Sequence, residues 1–195
     1  MRHTLFQRLM RSCVGQNQEM TETILYIATS LDGYIARKDG GIDWLSMVES
    51  PDTDYGYSDF YRSVDAAVMG RKTYELALGF GEWPYPGKPA YVFTRQQPAS
   101  DRTDVTFTSA LPDRVLRELD AQGLRRIWLV GGAELTAAFQ RRRLIDEYII
   151  SVIPVVLGEG IPLFLPTGVE ERLELVESQR YPTGLVQMRY RKTAP

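Results

Sequence analysis

Two strand-to-helix junctions carry glycines where a phosphate group could approach the main chain. The first, VMGRKTYE, places Gly70 before Arg71 and Thr73, and the second, WLVGGAEL, places Gly131 and Gly132 before a helical run. At such junctions free N–H groups and the positive end of the helix dipole face an anion, and glycine permits close approach. Two of them in one parallel sheet could bind a dinucleotide, with Arg71 suited to a ribose phosphate. Glycines that serve tight turns alone would give the same pattern.

Two carboxylates are candidates for acid–base chemistry. Asp32 lies in SLDGYIA (30–36), directly after an apolar run, where open α/β sheets place their ligands. A carboxyl group at this position could donate a proton to a bound ligand or accept one from it. Asp-Gly is also a common turn, so a structural role fits as well. Glu159 is the next candidate, in the glycine- and proline-rich segment PVVLGEGIPLF (154–164), which either walls a pocket or closes the fold.

The scarce residue types exclude several classes of site. The chain has one cysteine, Cys13, and one histidine, His3, both among the first 15 residues. A disulfide framework within the chain, a zinc site of Cys and His, and the Ser-His-Asp and Cys-His arrangements are therefore excluded. Acid–base chemistry then depends on Asp, Glu, Tyr or Lys, or a cofactor carries the difficult step. We expect no metal site.

Composition indicates one globular domain. The chain has 195 residues, of which 44% are hydrophobic and 25% charged, and its formal net charge is -2. A protein that binds nucleic acid through phosphates usually shows a basic excess. No apolar run approaches the roughly 20 residues of a membrane helix. We therefore expect neither nucleic acid nor membrane as a partner.

The first 20 residues differ from the rest. They are basic, with Glu19 as the only acidic residue, and Met20 precedes the first apolar run. An upstream start codon or a disordered tail explains the stretch, and a transit peptide has a similar composition. It lacks the long apolar segment of a secretory signal, so we expect a cytoplasmic protein. The predicted organisation is a tail over 1–20 and a single domain over 21–193.

Strand and helix patterns alternate through most of the domain. Short apolar runs predict strands over 24–29, 66–70, 89–94, 104–108 and 125–130. Helical patterns follow over 52–64, 71–78, 111–123 and 133–143, with Ser109 as a candidate cap and Gly123 as a stop for the third. Three strand-like runs without helices end the chain, over 146–156, 172–182 and 184–192. The prediction is an α/β fold: a mostly parallel sheet between helices, with antiparallel strands at the C-terminal end.

Five motifs together resemble a known superfamily. SLDGYIA, VMGRKTYE, YVFTR, LVGGAEL and PVVLGEGIPLF occur in the order and spacing of dihydrofolate reductase-like proteins. The chain most resembles the reductase, C-terminal domain of bifunctional riboflavin-biosynthesis proteins (RibD), over about residues 22–192. The resemblance implies a three-layer α/β/α fold with a doubly wound sheet and a C-terminal antiparallel hairpin. It also implies NADPH as cofactor and a homodimer.

The resemblance assigns expected roles by position. Residues matching the NADPH site are Gly70, Arg71, Lys72, Thr73, Thr94, Arg95, Gly131, Gly132, Ala133 and Glu134. Asp32 and Gly33 match the loop beside the nicotinamide, and Asp32 and Glu159 are the expected catalytic residues. Residues expected near the substrate are Leu31, Gly33, Trp44, Gly158 and Pro162. For Trp44, a packing role is favoured over that of a substrate platform.

The resemblance also has departures that bear on the substrate. Dihydrofolate reductase has an acid on its second helix; Asp54 and Asp59 lie nearby here, but neither matches its position. No obvious basic cluster would hold a ribosyl phosphate, and the Cys/His zinc signature of a deaminase is absent. The sequence predicts an NADPH-dependent reductase resembling 5-amino-6-(5-phosphoribosylamino)uracil reductase, with a small heterocyclic or carbonyl substrate. The alternatives are a dihydrofolate reductase and a nucleotide-binding protein without turnover.

Overall fold

One eight-stranded sheet organises the domain. The computed structural model describes residues 21–96, 98 and 100–193. Its strands are β1 (Glu22–Ser30), β3 (Ala66–Gly70), β4 (Ala90–Phe93), β5 (Val105–Thr108), β6 (Arg126–Gly131), β7 (Glu147–Ile153), β9 (Leu173–Arg180) and β10 (Val186–Lys192). Their order across the sheet is β5-β4-β3-β6-β1-β7-β10-β9. The first six are parallel to one another, while β10 is antiparallel to both β7 and β9. The predicted sheet, including its C-terminal antiparallel hairpin, is confirmed.

Among the residues that the structure describes, four α-helices cover the two faces of this sheet. They are α1 (Tyr57–Ser63), α2 (Arg71–Leu78), α3 (Pro112–Ala121) and α4 (Ala133–Gln140). Apolar side chains of α3 and α4 pack on one face in a core with Leu25, Ile127 and Leu129. The residues next to these in sequence, Ile24 and Trp128, point to the other face and pack with α1 and α2. Because successive side chains of a strand point to opposite faces, apolar runs such as ILYIAT produce the three-layer fold that we expected.

Short elements near the carboxyl ends of the central strands were missed by the sequence analysis. A two-stranded sheet pairs β2 (Tyr34–Ala36) with β8 (Ile161–Pro162), and a 3-10 helix spans Asp43–Val48. Two or three residues of strand are too few to show a period. The cap expected at Ser109 was wrong: α3 begins after Leu111, with Pro112 in its first turn and no side-chain cap. Proline suits that position because the first helical N–H groups have no partner within the helix.

The expected tail over 1–20 lies outside the described residues. Within the part of the chain that the structure describes, no helix has the length and apolar character needed to cross a bilayer. Nor does that part contain a group of three or more His, Cys, Asp or Glu side chains placed to hold a metal ion.

Candidate functional site

A large cleft opens at the carboxyl ends of the parallel strands. It has a volume of about 1030 Å3 and is lined by the ends of β3, β4, β5 and β6 and by the first turns of α2 and α4. Parallel strands that end at one edge of a sheet leave their following loops side by side, the usual position of ligands in open α/β sheets. The volume is at the upper end of the range for ligand pockets.

Two helix N-termini face this cleft without a side-chain cap. Gly70 precedes α2 and Gly132 precedes α4, and neither cap residue makes a side-chain hydrogen bond. Both glycines line the cleft. The first N–H groups of each helix have no partner within the helix and carry its positive dipole end. The two junctions therefore offer main-chain donors to an anionic ligand in one cleft.

The three glycines at the two junctions differ in the room that a side chain would have. A Cβ at Gly70 would lie 3.9 Å from the Gly131 carbonyl oxygen, and one at Gly132 would lie 3.5 Å from Thr73 Oγ1. Gly131 has φ 123° and is the constrained one, because a Cβ there would lie 3.1 Å from Ile27 Cδ1. A dinucleotide fits the donor groups of this cleft, since phosphates are bound by main-chain N–H groups where side chains are absent.

The charges of the cleft are mixed. Its basic side chains are Arg71, Lys72 and Arg95, and its acidic side chains are Asp39, Glu75 and Glu134. Arg71 forms an ion pair with Glu75 one turn further along α2. Their side chains are 38% and 50% exposed, so this pair contributes little to stability and can open to a stronger anion.

Most expected cofactor-binding residues line the cleft together. Those that do are Gly70, Arg71, Lys72, Thr73, Thr94, Arg95, Gly132, Ala133 and Glu134. Gly131 lies beside them as the last residue of β6. The sequence analysis missed two further walls: the loop with Asp39 and Gly40, and the end of β5 with Thr108 to Ala110. Ser109, expected as a cap, belongs to the second wall.

A second pocket adjoins the cleft. It has a volume of about 430 Å3, and Ile27 of β1 lines both cavities. Its walls carry the rings of Tyr26, Tyr55, Tyr57 and Trp128. Tyr57 packs edge-on against Trp128 with ring centroids 5.9 Å apart. We name this cavity the aromatic pocket. The sequence analysis missed it because its lining residues come from six separate segments, none of which forms a motif.

One polar group is fixed inside the aromatic pocket by a side-chain amide. Gln187 Nε2 donates to Tyr26 Oη at 3.3 Å and to Ser151 Oγ at 3.1 Å. Burial raises the pKa of Tyr26, and the negative charge of Asp54 adds to the effect. Tyr26 therefore keeps its proton at neutral pH, and its hydroxyl remains a hydrogen-bond donor at the edge of the pocket.

Asp32 connects two loops. Its carboxylate accepts hydrogen bonds from Ser30 Oγ at 2.6 Å, from Leu157 N at 3.1 Å and from Gly158 N at 2.7 Å. The Ser30 hydroxyl, with help from these N–H groups, lowers the pKa of Asp32 below its usual value. The residues lining the two cavities do not include Asp32. The structural role is thus visible, whereas the catalytic role stays a prediction.

The other expected catalytic and substrate residues lie around the cavities. Glu159 is exposed and forms an ion pair with Lys38 at 2.5 Å. Trp44 is 2% exposed and packs with Val48 and Leu185, which line the aromatic pocket, so it supports the wall from behind. Four expected substrate residues line neither cavity, namely Leu31, Gly33, Gly158 and Pro162.

Comparison with known proteins was made on sequence and on structure. A family model described as the RibD C-terminal domain matches residues 22–187. The uncharacterized protein YwjB of Bacillus subtilis (strain 168) is 44% identical over 170 residues, which cover 87% of this chain and 97% of YwjB.

Two solved structures are similar over most of the domain. A putative riboflavin biosynthesis protein from Shewanella sp. PV-4 has a TM-score of 0.82 and 32% identity, covering 89% of this chain and all of that one. A Thermotoga maritima diaminohydroxyphosphoribosylaminopyrimidine deaminase/5-amino-6-(5-phosphoribosylamino)uracil reductase has a TM-score of 0.69 and 15% identity. Here the match covers 90% of this chain and 58% of that one, and at this identity it concerns the fold alone.

Proposed function

The chain belongs to the RibD C-terminal domain family, and from this membership together with its cleft we propose that it is an NADPH-dependent reductase. The observation that carries the proposal is the pair of uncapped helix N-termini, at Gly70 and Gly132, that face one cleft at the strand ends. A dinucleotide needs two anion sites within one cavity, and these junctions supply them. Hydride would pass to a small heterocyclic or carbonyl substrate.

The cleft offers candidate binding groups for the phosphates of NADPH. The N-termini of α2 and α4 would bind phosphates through main-chain N–H groups. Arg71, Thr73 and Arg95 are the candidates for the 2′-phosphate, because a guanidinium binds phosphate through paired donors. This chemistry favours NADPH over NADH. When bound, NADPH supplies a hydride, and this chain's residues hold and orient the two reactants.

We place the substrate in the aromatic pocket. Among the described residues Ile27 alone lines both cavities, and the proposal requires that the two ligands approach each other beside it. Bringing two reactants together in a fixed orientation supplies a large part of catalysis. The Tyr26 hydroxyl, held by Gln187, can donate a hydrogen bond to the substrate. Asp32 and Glu159, the acids expected from the sequence, lie outside both linings, and turnover of an Asp32→Asn variant tests the role of Asp32.

The test separates binding from turnover. NADPH titration, followed by its own fluorescence, is expected to show saturable binding that is tighter than that of NADH. NADPH oxidation is then followed at 340 nm with a panel of aminopyrimidines, pteridines and small carbonyl compounds. Lack of NADPH binding at millimolar concentration would refute the proposal. Tight binding without oxidation of any substrate would favour a nucleotide-binding protein that lacks turnover.

We also propose that the protein is a cytoplasmic homodimer. The edge strand β9 exposes Leu175 and Val176, which are 53% and 46% exposed, and Val186 of β10 is 38% exposed. An uncovered edge strand with apolar side chains favours pairing with another chain. Light scattering at micromolar concentration is expected to give twice the chain mass, and a monomer would contradict the dimer.

A further inference from the structure

The aromatic pocket differs from the cofactor cleft in its charges. No lysine, arginine or histidine is among the described residues that line it, while Glu49 and Asp54 are. Both carboxylates are exposed to solvent at the pocket. Neither takes part in an ion pair within the described ranges. Both charged side chains among the described lining residues are therefore negative.

Asp54 is fixed in its ionised form. Its carboxylate accepts hydrogen bonds from Gly56 N at 3.0 Å and Ser58 N at 2.9 Å, at the start of α1. The Ser58 side chain and these N–H groups lower the pKa of Asp54. A like charge brought close to such a group without a compensating cation is repelled.

The walls of the pocket suit a flat ring. Tyr57 stacks on Tyr61 with ring centroids 5.8 Å apart, and Tyr26 packs edge-on against Phe60 at 4.4 Å, so the neighbouring rings hold the lining rings in place. Aromatic side chains stack on heteroaromatic rings of every kind, because each offers a π-face. Shape and charge together define a substrate class.

We propose that the aromatic pocket binds a planar heteroaromatic substrate that carries no phosphate and is neutral or cationic. That the ligand is a substrate rests on the proposed reductase function, whereas the selection between ligands does not. It separates this chain from enzymes whose substrate carries a ribosyl phosphate. The phosphates in the complex would all belong to the cofactor, in the cleft that holds Arg71, Lys72 and Arg95.

The test uses riboflavin and riboflavin 5′-phosphate, which share a planar ring and differ in one phosphate. Binding is followed by quenching of flavin fluorescence, with excess NADP+ present to occupy the cleft. We expect riboflavin to bind at least about tenfold more tightly, because the phosphate meets two uncompensated carboxylates. Equal or tighter binding of the phosphate form overturns the proposal, and so does binding of neither.

Variants of the two carboxylates test the cause. In Glu49→Gln with Asp54→Asn, the preference for riboflavin should fall to within about threefold, since asparagine still caps α1. Glu49→Gln alone should give an intermediate ratio, and it keeps the test valid if the double variant fails to fold. The matched control is Asp52→Asn, an exposed carboxylate outside the lining, with the ratio unchanged. An unchanged ratio in the double variant would overturn the charge argument. Lack of NADPH binding would defeat the proposed reductase but not this selection.

Discussion

The cofactor cleft and the aromatic pocket share Ile27 but are built by different means. The cleft consists of consecutive strand-to-helix junctions, and its main donors are main-chain N–H groups beside Gly70 and Gly132. The aromatic pocket consists of residues from β1, β6 and β7, the 3-10 helix, the start of α1 and the loops before α1 and before β10. The cleft offers main-chain donors to any ligand with suitably spaced phosphates, whereas the pocket depends on which rings and charges this chain carries. The main-chain anion sites are therefore a property of the fold, and the lining of the aromatic pocket is a property of this sequence.

The two regions also differ in how they carry charge. The lining of the cleft contains both basic and acidic side chains, and Arg71 is paired with Glu75. The aromatic pocket has Glu49 and Asp54 without a basic neighbour in its lining. A phosphate is thus attracted to one cavity and repelled from the other. Each substitution below is expected to affect one cavity and leave the other unchanged.

The largest effect is expected from Gly70→Val. Gly70 has φ -79° and ψ 160°, which valine adopts readily, and a Cβ there meets its nearest atom at 3.9 Å. The variant should fold, but its side chain fills the cleft where a phosphate would approach the start of α2. NADPH binding should weaken by about hundredfold or more, measured by fluorescence titration. Gly70→Ala should have a smaller effect, and riboflavin binding should change in neither. Equal loss of both ligands would mean that the cavities are not independent.

Arg71→Ala should weaken NADPH binding by about ten- to hundredfold, because one charge-assisted contact to the 2′-phosphate is lost. NADH should be affected much less. The matched control is Arg114→Ala, since Arg114 forms the same type of pair with Glu118, four residues along α3, and does not line the cleft. If both cofactors weaken equally, Arg71 contacts the pyrophosphate or supports the fold.

The sequence predicted the cleft because its parts are contiguous. A glycine between a strand and a helix specifies the local backbone and the free N–H groups together, so Gly70 and Gly132 could be recognised without the fold. The parallel direction of β3 and β6 followed from the alternation of strands and helices, whereas their pairing, which brings the two junctions together, is known from the structure alone. For these reasons, most of the expected cofactor residues were found in one lining.

The aromatic pocket was not predicted because nothing links its residues in sequence. Tyr26 and Trp128 are 102 positions apart, and they share a wall because β1 pairs with β6. Each alone has the pattern of a core residue, as Trp44 does. Asp32 shows the opposite case: its position after β1 was predicted, but its contacts to Leu157 and Gly158 depend on a distant loop. Both the wall of the aromatic pocket and the contacts of Asp32 thus depend on segments that are far apart in sequence.

Tyr57→Leu tests whether the rings of the aromatic pocket contribute to ligand binding. Removing one ring of the pocket should weaken riboflavin binding by about two- to tenfold, the range for one aromatic pair. NADPH binding should stay within about twofold, since Tyr57 does not line the cleft. Tyr91→Leu is the control, because Tyr91 is half-buried on β4 and lines neither cavity. A loss of NADPH affinity in Tyr57→Leu would show coupling through Ile27.

The smallest effect is expected from Asp32→Asn, and its pH dependence identifies the role of the carboxylate. The pKa of Asp32 is lower in the folded chain than its usual value, so the ionised group stabilises the fold above the pKa of the unfolded chain. This contribution is lost as the pH falls through the folded-state pKa. The melting temperature of Asp32→Asn should therefore be below that of the unsubstituted protein at pH 7, and the two should converge as the pH falls below the usual pKa of an aspartate. Asp52→Asn is the matched control for removal of a surface carboxylate.

Turnover measured below the melting temperature decides between the two roles of Asp32. A carboxylate that only connects the two loops predicts rates within about threefold of the unsubstituted protein, whereas a general acid predicts a loss of about 10²–10⁴. The lowered pKa of Asp32 favours the structural role, in which its carboxylate connects the two loops, because a carboxylate stabilised as an anion is a poor proton donor at neutral pH.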